Sequence, residues 1–433
     1  MYSLMPNRAK TTKPIKLKEL ILRGFGGGLN VIEDDISMRP TDQCVLDNLR
    51  RTASGSQKVR YGSNWFDDVA DVVAGDIVDQ VYFANSIISV TDEGEIAATD
   101  DDGVSIVIWN DAIAALLPGA PTGWSNGLDS INFVNFRNKL LIHNGIDKPI
   151  SIDANLDVTY LVDAGTGSNT NVPIGTYGCV AANYHCIAGI PGFPTTIYIS
   201  SVGTDGTFPG DPIPNDSISI DVGAYAPEGA ESIRGIAGFR SNLMVFFQGQ
   251  TLVVKLGVYN AADEHTPEFP DSMPDFGLLG HRCVVQVEND LLFAGLDGLT
   301  SAKRNVFGNL DSDPLSAKVE PLYQGSMGNF TDEQLLKNAF VIYDKLSRDL
   351  IISLPDGSAF VHSFHTKLKY AVWSTYANLG ITCACTSKLG RVFYAIGTRI
   401  YQHGNGTFTN EKFQADRLND RDASWAQTTV YSV

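Results

Sequence analysis

An all-β fold of propeller-like repeats is what this sequence predicts, on three observations. Short apolar runs alternate with Gly, Asn and Asp turns along most of the 433 residues. One pattern recurs: a polar pair, a dense apolar strand and a Gly-containing turn. Helical signals, by contrast, are few.

The copies can be read in order. Asn85-Ser86 precedes Ile87-Ile88, and Asn138-Lys139 precedes Leu140-Leu141-Ile142-His143 and the turn Asn144-Gly145. Asn183-Tyr184 leads into His185-Cys186-Ile187, and Ser241-Asn242 into Leu243-Met244-Val245-Phe246-Phe247. Asn289-Asp290 with Leu291-Leu292-Phe293, Arg348-Asp349 with Leu350-Ile351-Ile352, and Leu389-Gly390 with Val392-Phe393-Tyr394 complete the series. The dense strands begin at 87, 140, 185, 243, 291, 350 and 392, a mean spacing near 51 residues. Repeats of this size with several strands each suit propeller blades, because a twisted four-stranded sheet cannot cover both of its faces alone. Neither a Trp-Asp dipeptide nor a double-Gly signature accompanies the copies. Six or seven blades are expected, with one or two copies assignable to a small platform domain. A multi-sheet sandwich is the alternative.

Three helical segments are expected. Pro40-Thr41-Asp42 opens a short helix carrying Val45, Leu46 and Leu49. Asp111 begins two turns ended by Pro118-Gly119, and Thr331-Asp332-Glu333-Gln334 has capping-box spacing. Residues 1–66 fall outside the repeat and read as an arm, residues 67–410 as the propeller body, and residues 411–433 as a C-terminal extension or closing strand.

The charge arithmetic sharpens that division. The chain has 32 Lys+Arg, 49 Asp+Glu and a net charge of −17, with 43% hydrophobic residues. That apolar content excludes wholesale disorder. The acidic balance argues against general adhesion to nucleic acid or membrane surfaces. Residues 1–60 carry +5 and the remainder −22, and residues 61–129 hold 13 acidic groups with no Lys or Arg. Met1-Tyr2-Ser3-Leu4-Met5 lacks a secretory h-region, and six cysteines are sparse, so synthesis in a cytoplasm is expected.

Catalytic and ligand frames fail one by one. Phe25-Gly26-Gly27-Gly28-Leu29-Asn30 misses the G-x-G-x-x-G spacing and opens no helix, so it reads as a tight turn. No G-x-S-x-G or H-E-x-x-H occurs. The Ser353 to Phe360 stretch is one residue off an Asp-box. His362 and His365 are three apart and face opposite sides of a strand. Asp100-Asp101-Asp102-Gly103 lacks the alternate ligands and distal Glu of a calcium loop. Cys179, Cys186 and His185 lack a second pair with zinc spacing, and Cys383 and Cys385 share one face of a strand. No enzyme, cofactor or metal is predicted. The acidic residues Asp76, Asp79, Asp92, Glu93, Glu95, Asp100, Asp101 and Asp102 are the candidates for a negative wall that keeps passing DNA mobile.

The N-terminal pattern carries a resemblance. Phe25-Gly26-Gly27-Gly28-Leu29-Asn30, then Pro40, Gln43, Leu46 and Asn48, then Gly55, Arg60, Tyr61 and Gly62, resembles the opening of structural tail proteins of short-tailed phages. The similar family is that of tail nozzle proteins, also called packaged-DNA stabilisation proteins or tubular tail protein B. The resemblance implies a homohexameric virion ring at the distal tail. It also implies docking to a tail adaptor protein, contact with a tail fibre or needle/plug protein, and non-specific passage of double-stranded DNA without membrane anchoring. Assembly would take place in the host cytoplasm. A receptor-binding or fibre-docking tail protein and a propeller glycosidase are the alternatives.

Overall fold

Seven antiparallel sheets are arranged radially around one axis in the computed structural model. The chain is a seven-bladed β-propeller. The described residues are 62–114, 124, 131–162, 167–210, 216–226, 231–260, 265–302, 315–364, 372–377 and 379–406, with short backbone segments at 28–29, 42–43, 49–51 and 57–59.

Blade 1 comprises Ile77–Phe83, Ser86–Thr91, Ile96–Asp100 and Ser105–Trp109, paired in sequence order. Blade 2 is built from Asn132–Phe136, Lys139–His143, Ile150–Ile152 and Val158–Tyr160. Blade 3 uses Tyr177–Ala181, Tyr184–Ala188, Thr196–Ile199 and Ile218–Asp221. Blade 4 uses Gly235–Phe239, Asn242–Phe246, Gln250–Lys255 and Glu268–Pro274. Blade 5 shows three strands, Val284–Val287, Asp290–Gly295 and Gly298–Ser301. Blade 6 comprises Phe340–Asp344, Asp349–Ser353, Ala359–Ser363 and Val372–Tyr376. Blade 7 takes Cys383–Thr386, Val392–Ile396 and Arg399–Gly406, and its outer strand is Gly62–Asp68 from the other end of the described chain.

That last pairing closes the ring, with Ile400 opposite Asp67 and Tyr401 opposite Trp65. It also moves the body's start. The arm was expected to run to residue 66, but Gly62–Asp68 is a ladder strand of blade 7. The expected C-terminal extension lies outside the described residues.

All seven dense apolar runs are the second strands of their blades. The reason is positional: a second strand sits mid-sheet, with a neighbouring blade over each face. In blades 1, 3 and 6 every residue of that strand is buried. The first residue of each polar pair lies in the hairpin turn before its strand, one position earlier than the pairs were read. Ala84 and Asn85 (φ 49° and 63°), Ala182 and Asn183 (48° and 70°), and Arg240 and Ser241 (47° and 66°) have the two left-handed residues of a type I′ turn.

The core is a ring of inter-blade layers. Ile88, Val90 and Ile96 of blade 1 meet Leu140, Ile142 and Ile150 of blade 2. Cys186, Ile197 and Ile199 of blade 3 meet Leu243, Val245 and Val254 of blade 4. Between blades 5 and 6, helices Glu320–Met327 and Asp332–Asn338 add Tyr323, Met327 and Leu335 to the largest layer. The second helix has the expected capping box. The Thr331 side chain accepts from Gln334 N at 3.3 Å, and the Gln334 side chain accepts from Thr331 N at 2.9 Å. The helix expected to open at Asp42 is overturned, because Asp42–Gln43 and Leu49–Arg51 are strands. They pair with Gly28–Leu29 and Gln57–Val59 respectively, and backbone pairing of this kind leaves no helical turn at either end of that segment. Gly28–Leu29 and Leu49–Arg51 lie against Val372–Tyr376, the outer strand of blade 6.

Candidate functional site

Seven first strands converge on the axis, and the place where their beginnings meet holds a half-open cavity of about 170 Å³. Its walls come from five blades: Asp79 and Gln80 of blade 1, Asn132 and Phe133 of blade 2, His281 and Arg282 at the entrance to blade 5, Phe340 of blade 6 and Cys383 of blade 7. Blade ends on this side form the entry rim. The opposite ends, with the hairpins between first and second strands, form the turn rim.

The dipeptide His281-Arg282 reaches every other blade. Arg282 Nη1 donates to Val78 O of blade 1 at 3.2 Å and to Thr382 O, just before blade 7, at 3.3 Å. Arg282 Nη2 donates to Lys337 O ahead of blade 6, and the guanidinium lies 5.9 Å from the Phe340 ring centre. His281 Nε2 donates to Ile131 O of blade 2 at 2.9 Å, and its ring centre is 5.4 Å from that of Tyr177 in blade 3. Its backbone passes over Gly235 of blade 4, where a Cβ would lie 3.2 Å from His281 Cα. A planar fork of donors can satisfy several carbonyls at once, which a Lys ammonium does less rigidly.

Asp79 gives the cavity its titrating group. A register shift between Ile77 and Asp79 re-aims the strand, leaving both Asp79 and Gln80 buried. Burial raises the Asp79 carboxyl to about 6, against the opposing pull of Arg282 and the Gln80 N–H at 2.8 Å. Burial, helped by Arg282, lowers His281 to about 4, so its imidazole is neutral at pH 7. Gln80 Nε2 donates to Phe393 O at 2.8 Å, while Gln80 Oε1 and Arg282 Nε have no partner among the described residues. At ~30 Å³ per water, the space suits about five waters, which can serve these two atoms. The Cys383 thiol on the wall is pushed well above its ordinary range by burial, which removes it as a nucleophile.

No protein-family profile matches the chain, and no curated protein matches it in sequence. Solved propellers match it in shape only. One is PorZ, a surface component of the type-IX secretion system of Porphyromonas gingivalis (14% identity, TM-score 0.44), with 78% of this chain and 37% of PorZ covered. A streptogramin B lyase aligns at 9% identity and TM-score 0.45, covering 79% of this chain and 97% of its own. The WD40 repeats of RRP9 align at 10% identity and TM-score 0.44, covering 82% and 99%. This chain spans little more than a third of PorZ.

The acidic candidates do not form one surface. Asp79 alone among them lines the axial cavity. Asp76, Asp92, Glu93 and Glu95 lie at the entry rim of blade 1, where Asp92 Oδ1 accepts from Asp76 N at 2.9 Å and Glu95 Oε2 from Ala74 N at 2.6 Å. Asp100, Asp101 and Asp102 sit on the opposite rim. There Asp100 Oδ1 accepts from Asp102 N at 3.0 Å and Val104 N at 2.9 Å, and Asp101 accepts from Tyr82 Oη. Local turn chemistry therefore uses several of them. Of the N-terminal motif, Gly28 and Leu29 form a short strand and Gly62 opens the closing strand. Phe25, Gly26, Gly27, Asn30, Leu46, Asn48 and Arg60 lie outside the described residues.

Two further clusters were not foreseen. His143 and His185, on the second strands of blades 2 and 3, place their Nε2 atoms 3.2 Å apart. His185 Nδ1 donates to Asp205 O at 2.6 Å, so its Nε2 accepts from His143. His143 Nδ1 has no partner among the described residues, and burial holds both rings neutral, His185 at about 4. At the turn rim, Tyr259 Oη donates to Asp216 Oδ2 at 2.7 Å, and Tyr184 Oη lies 2.9 Å from Tyr259 Oη. Burial alone would raise Asp216, but hydrogen bonds from Tyr259, Val202 N and Tyr184 outweigh it and hold the carboxyl low. Cys179 and Cys186 are free, buried and directly opposite each other in the ladder. Cys383 and Cys385 are likewise buried on one face, as their alternation predicts.

Proposed function

We propose that this chain is a structural subunit of a phage virion tail, a nozzle ring that conducts packaged DNA and helps to retain it. The small, Arg282-bridged axial cavity carries the reading. A cavity of about 170 Å³, bridged by Arg282 to backbone carbonyls of its own fold, falls below the ~300–1,000 Å³ typical of ligand pockets. Such an interior suits a rigid scaffold better than a catalyst, and leaves the rims and outer edges for assembly. DNA would then pass through the lumen of a ring of subunits, not along the axis of one propeller.

The entry-rim carboxylates Asp76, Asp92, Glu93 and Glu95 are the groups we assign to the lumen wall. Negative charge there keeps a polyanion from adhering. A homohexamer, a tail adaptor protein, and a fibre or needle/plug protein are the partners proposed, and the virion tail is the proposed location. Native mass spectrometry and negative-stain imaging of the full chain test this together. A sixfold ring with a pore wide enough for duplex DNA is expected. A trimer, or a monomer that adheres to host cells, would replace the nozzle with a receptor-binding or fibre-docking protein. Isolated monomers that degrade polysaccharide would replace it with a glycosidase.

A further inference from the structure

The inner hairpins of the turn rim, those between first and second strands, carry a charge opposite to that of the chain as a whole. They expose Arg137, Arg240, Lys345, Arg348, Lys388 and Arg391, against a single exposed carboxylate, Glu288, in a protein of net charge −17. Adjacent hairpins touch. Arg240 Nη2 donates to Asn289 O at 3.4 Å, and a Cβ on Gly203 would lie 2.7 Å from Arg137 Nη2 and 3.4 Å from Asn183 Nδ2. A Cβ on Gly390 would lie 3.2 Å from Lys345 Cβ and 3.9 Å from Leu346 Cδ2, so the turns of blades 6 and 7 adjoin.

Those two turns also present the most exposed large apolar side chains among the described residues, Leu346 and Leu389, each 70% exposed. Both turns are held by hydrogen bonds. Asp344 Oδ1 accepts from Leu346 N at 2.9 Å, and Ser347 Oγ donates to Asp344 Oδ2 at 2.6 Å. Ser387 Oγ accepts from Arg391 N at 3.1 Å, and Gly390 N donates to Ser387 O at 2.9 Å. Lys345, Lys388 and Arg391 form no ion pair among the described residues. Two leucines held outward between unpaired cations lose little conformational freedom on binding, and the fold itself does not use them.

We propose that the hairpin turns of blades 6 and 7 form a docking site for an acidic polypeptide segment bearing aliphatic side chains. Charge complementarity supplies the attraction, and the leucines supply the anchor. Nucleic acid fits less well. Its backbone has no use for two leucines, and the outer turns of the same rim, with Asp100, Asp101, Asp102 and Asp157 exposed, repel a polymer laid across the face. The proposal does not depend on the tail reading.

Panning a random displayed peptide library on the full chain tests it. The expected outcome is enrichment of peptides with excess Asp and Glu and at least a pair of aliphatic positions. Their affinity should fall roughly tenfold or more in L346S/L389S and in K388E/R391E, with melting temperatures checked to exclude unfolding. Enriched peptides without that composition, or peptides bound equally by both variants, overturn the proposal. So does preferential binding of an oligonucleotide probe. A salt-sensitive dimer in sedimentation that both variants abolish would give the face to a second copy, and would overturn it as well.

Discussion

Two sides of the propeller axis solve the same closure problem differently. Between blades 3 and 4 the first strands meet through backbone. A Cβ on Gly238 would lie 1.9 Å from Val180 O and 3.2 Å from Ala181 Cα. On the side of blades 1, 5, 6 and 7 a side chain makes the joint, and Arg282 donates to carbonyls of three neighbours. Repeats spaced from 42 to 59 residues cannot make seven identical sectors. Glycine admits direct backbone contact on one side, and a forked cation joins the blades beside the cavity on the other.

The contrast can be broken first at its tight side. Gly238→Ala forces a methyl into the Val180 carbonyl, and the neighbour is backbone that cannot rotate away. The expected loss is about 3 kcal/mol or more in urea unfolding, at the upper end of overpacking costs. A loss under about 1 kcal/mol would mean that the seam is loose.

Arg282→Met attacks the bridged side and should cost roughly 2–4 kcal/mol, because it leaves buried carbonyls unserved and Asp79 without its cation. Wild-type unfolding in this variant would remove the staple from the account. Combined with Asp79→Asn, the loss should be smaller than the sum of the two, since the groups share one field.

Acid offers a finer comparison. His185 and His281 titrate at about 4 and His362 at about 3 when folded, all lowered by burial, against about 6.5 unfolded. The unfolded chain therefore binds more protons in this range. Stability that is complete above about pH 6.5 should fall as pH drops toward 4, with a slope of two to three protons in the pH dependence of the unfolding free energy. A flat profile between pH 6.5 and 4 would contradict the buried neutral imidazoles.

Asp79 has the opposite sign and gives the smallest effect. Its folded value of about 6 stands above the ordinary 3.8, so it costs stability above pH 6 and that cost is relieved as pH falls through 6 toward 3.8. Asp79→Asn should stabilise at pH 8 by on the order of 1–3 kcal/mol and lose that advantage near pH 4, read from paired melting curves. No gain at pH 8 would place the carboxylate in a better-solvated site than its burial indicates.

Much of the fold was legible because the most buried strand of each blade is also its most apolar. Leu140-Leu141-Ile142 and Leu350-Ile351-Ile352 announce themselves through two-sided burial. First strands are harder to read. Asp79, Gln80, His281 and Arg282 face a partly polar axis, so no apolar run marks them. The only available signal for Arg282 was a charged residue in Gly280-His281-Arg282-Cys283, immediately before a strand. The expected helix at Asp42 failed because Val45, Leu46 and Leu49 fit a helical face by spacing, while pairing with Gly28–Leu29 and Gln57–Val59 decided the backbone at its two ends.

The sequence by itself determined the repeat, the seven second strands, the capped helix at Thr331, the buried cysteines and a charge divided between the first 60 residues and the rest. These are local or periodic properties, set by neighbours a few positions apart. Only the tertiary structure decided that Gly62–Asp68 completes blade 7, that His143 meets His185, and that Arg282 bridges blades whose carbonyls lie up to 204 positions away. It also sorted the acidic residues between two rims and gathered cations onto one of them. Radial closure brings together residues with no common period in the chain, so their meeting depends on the geometry of the whole ring.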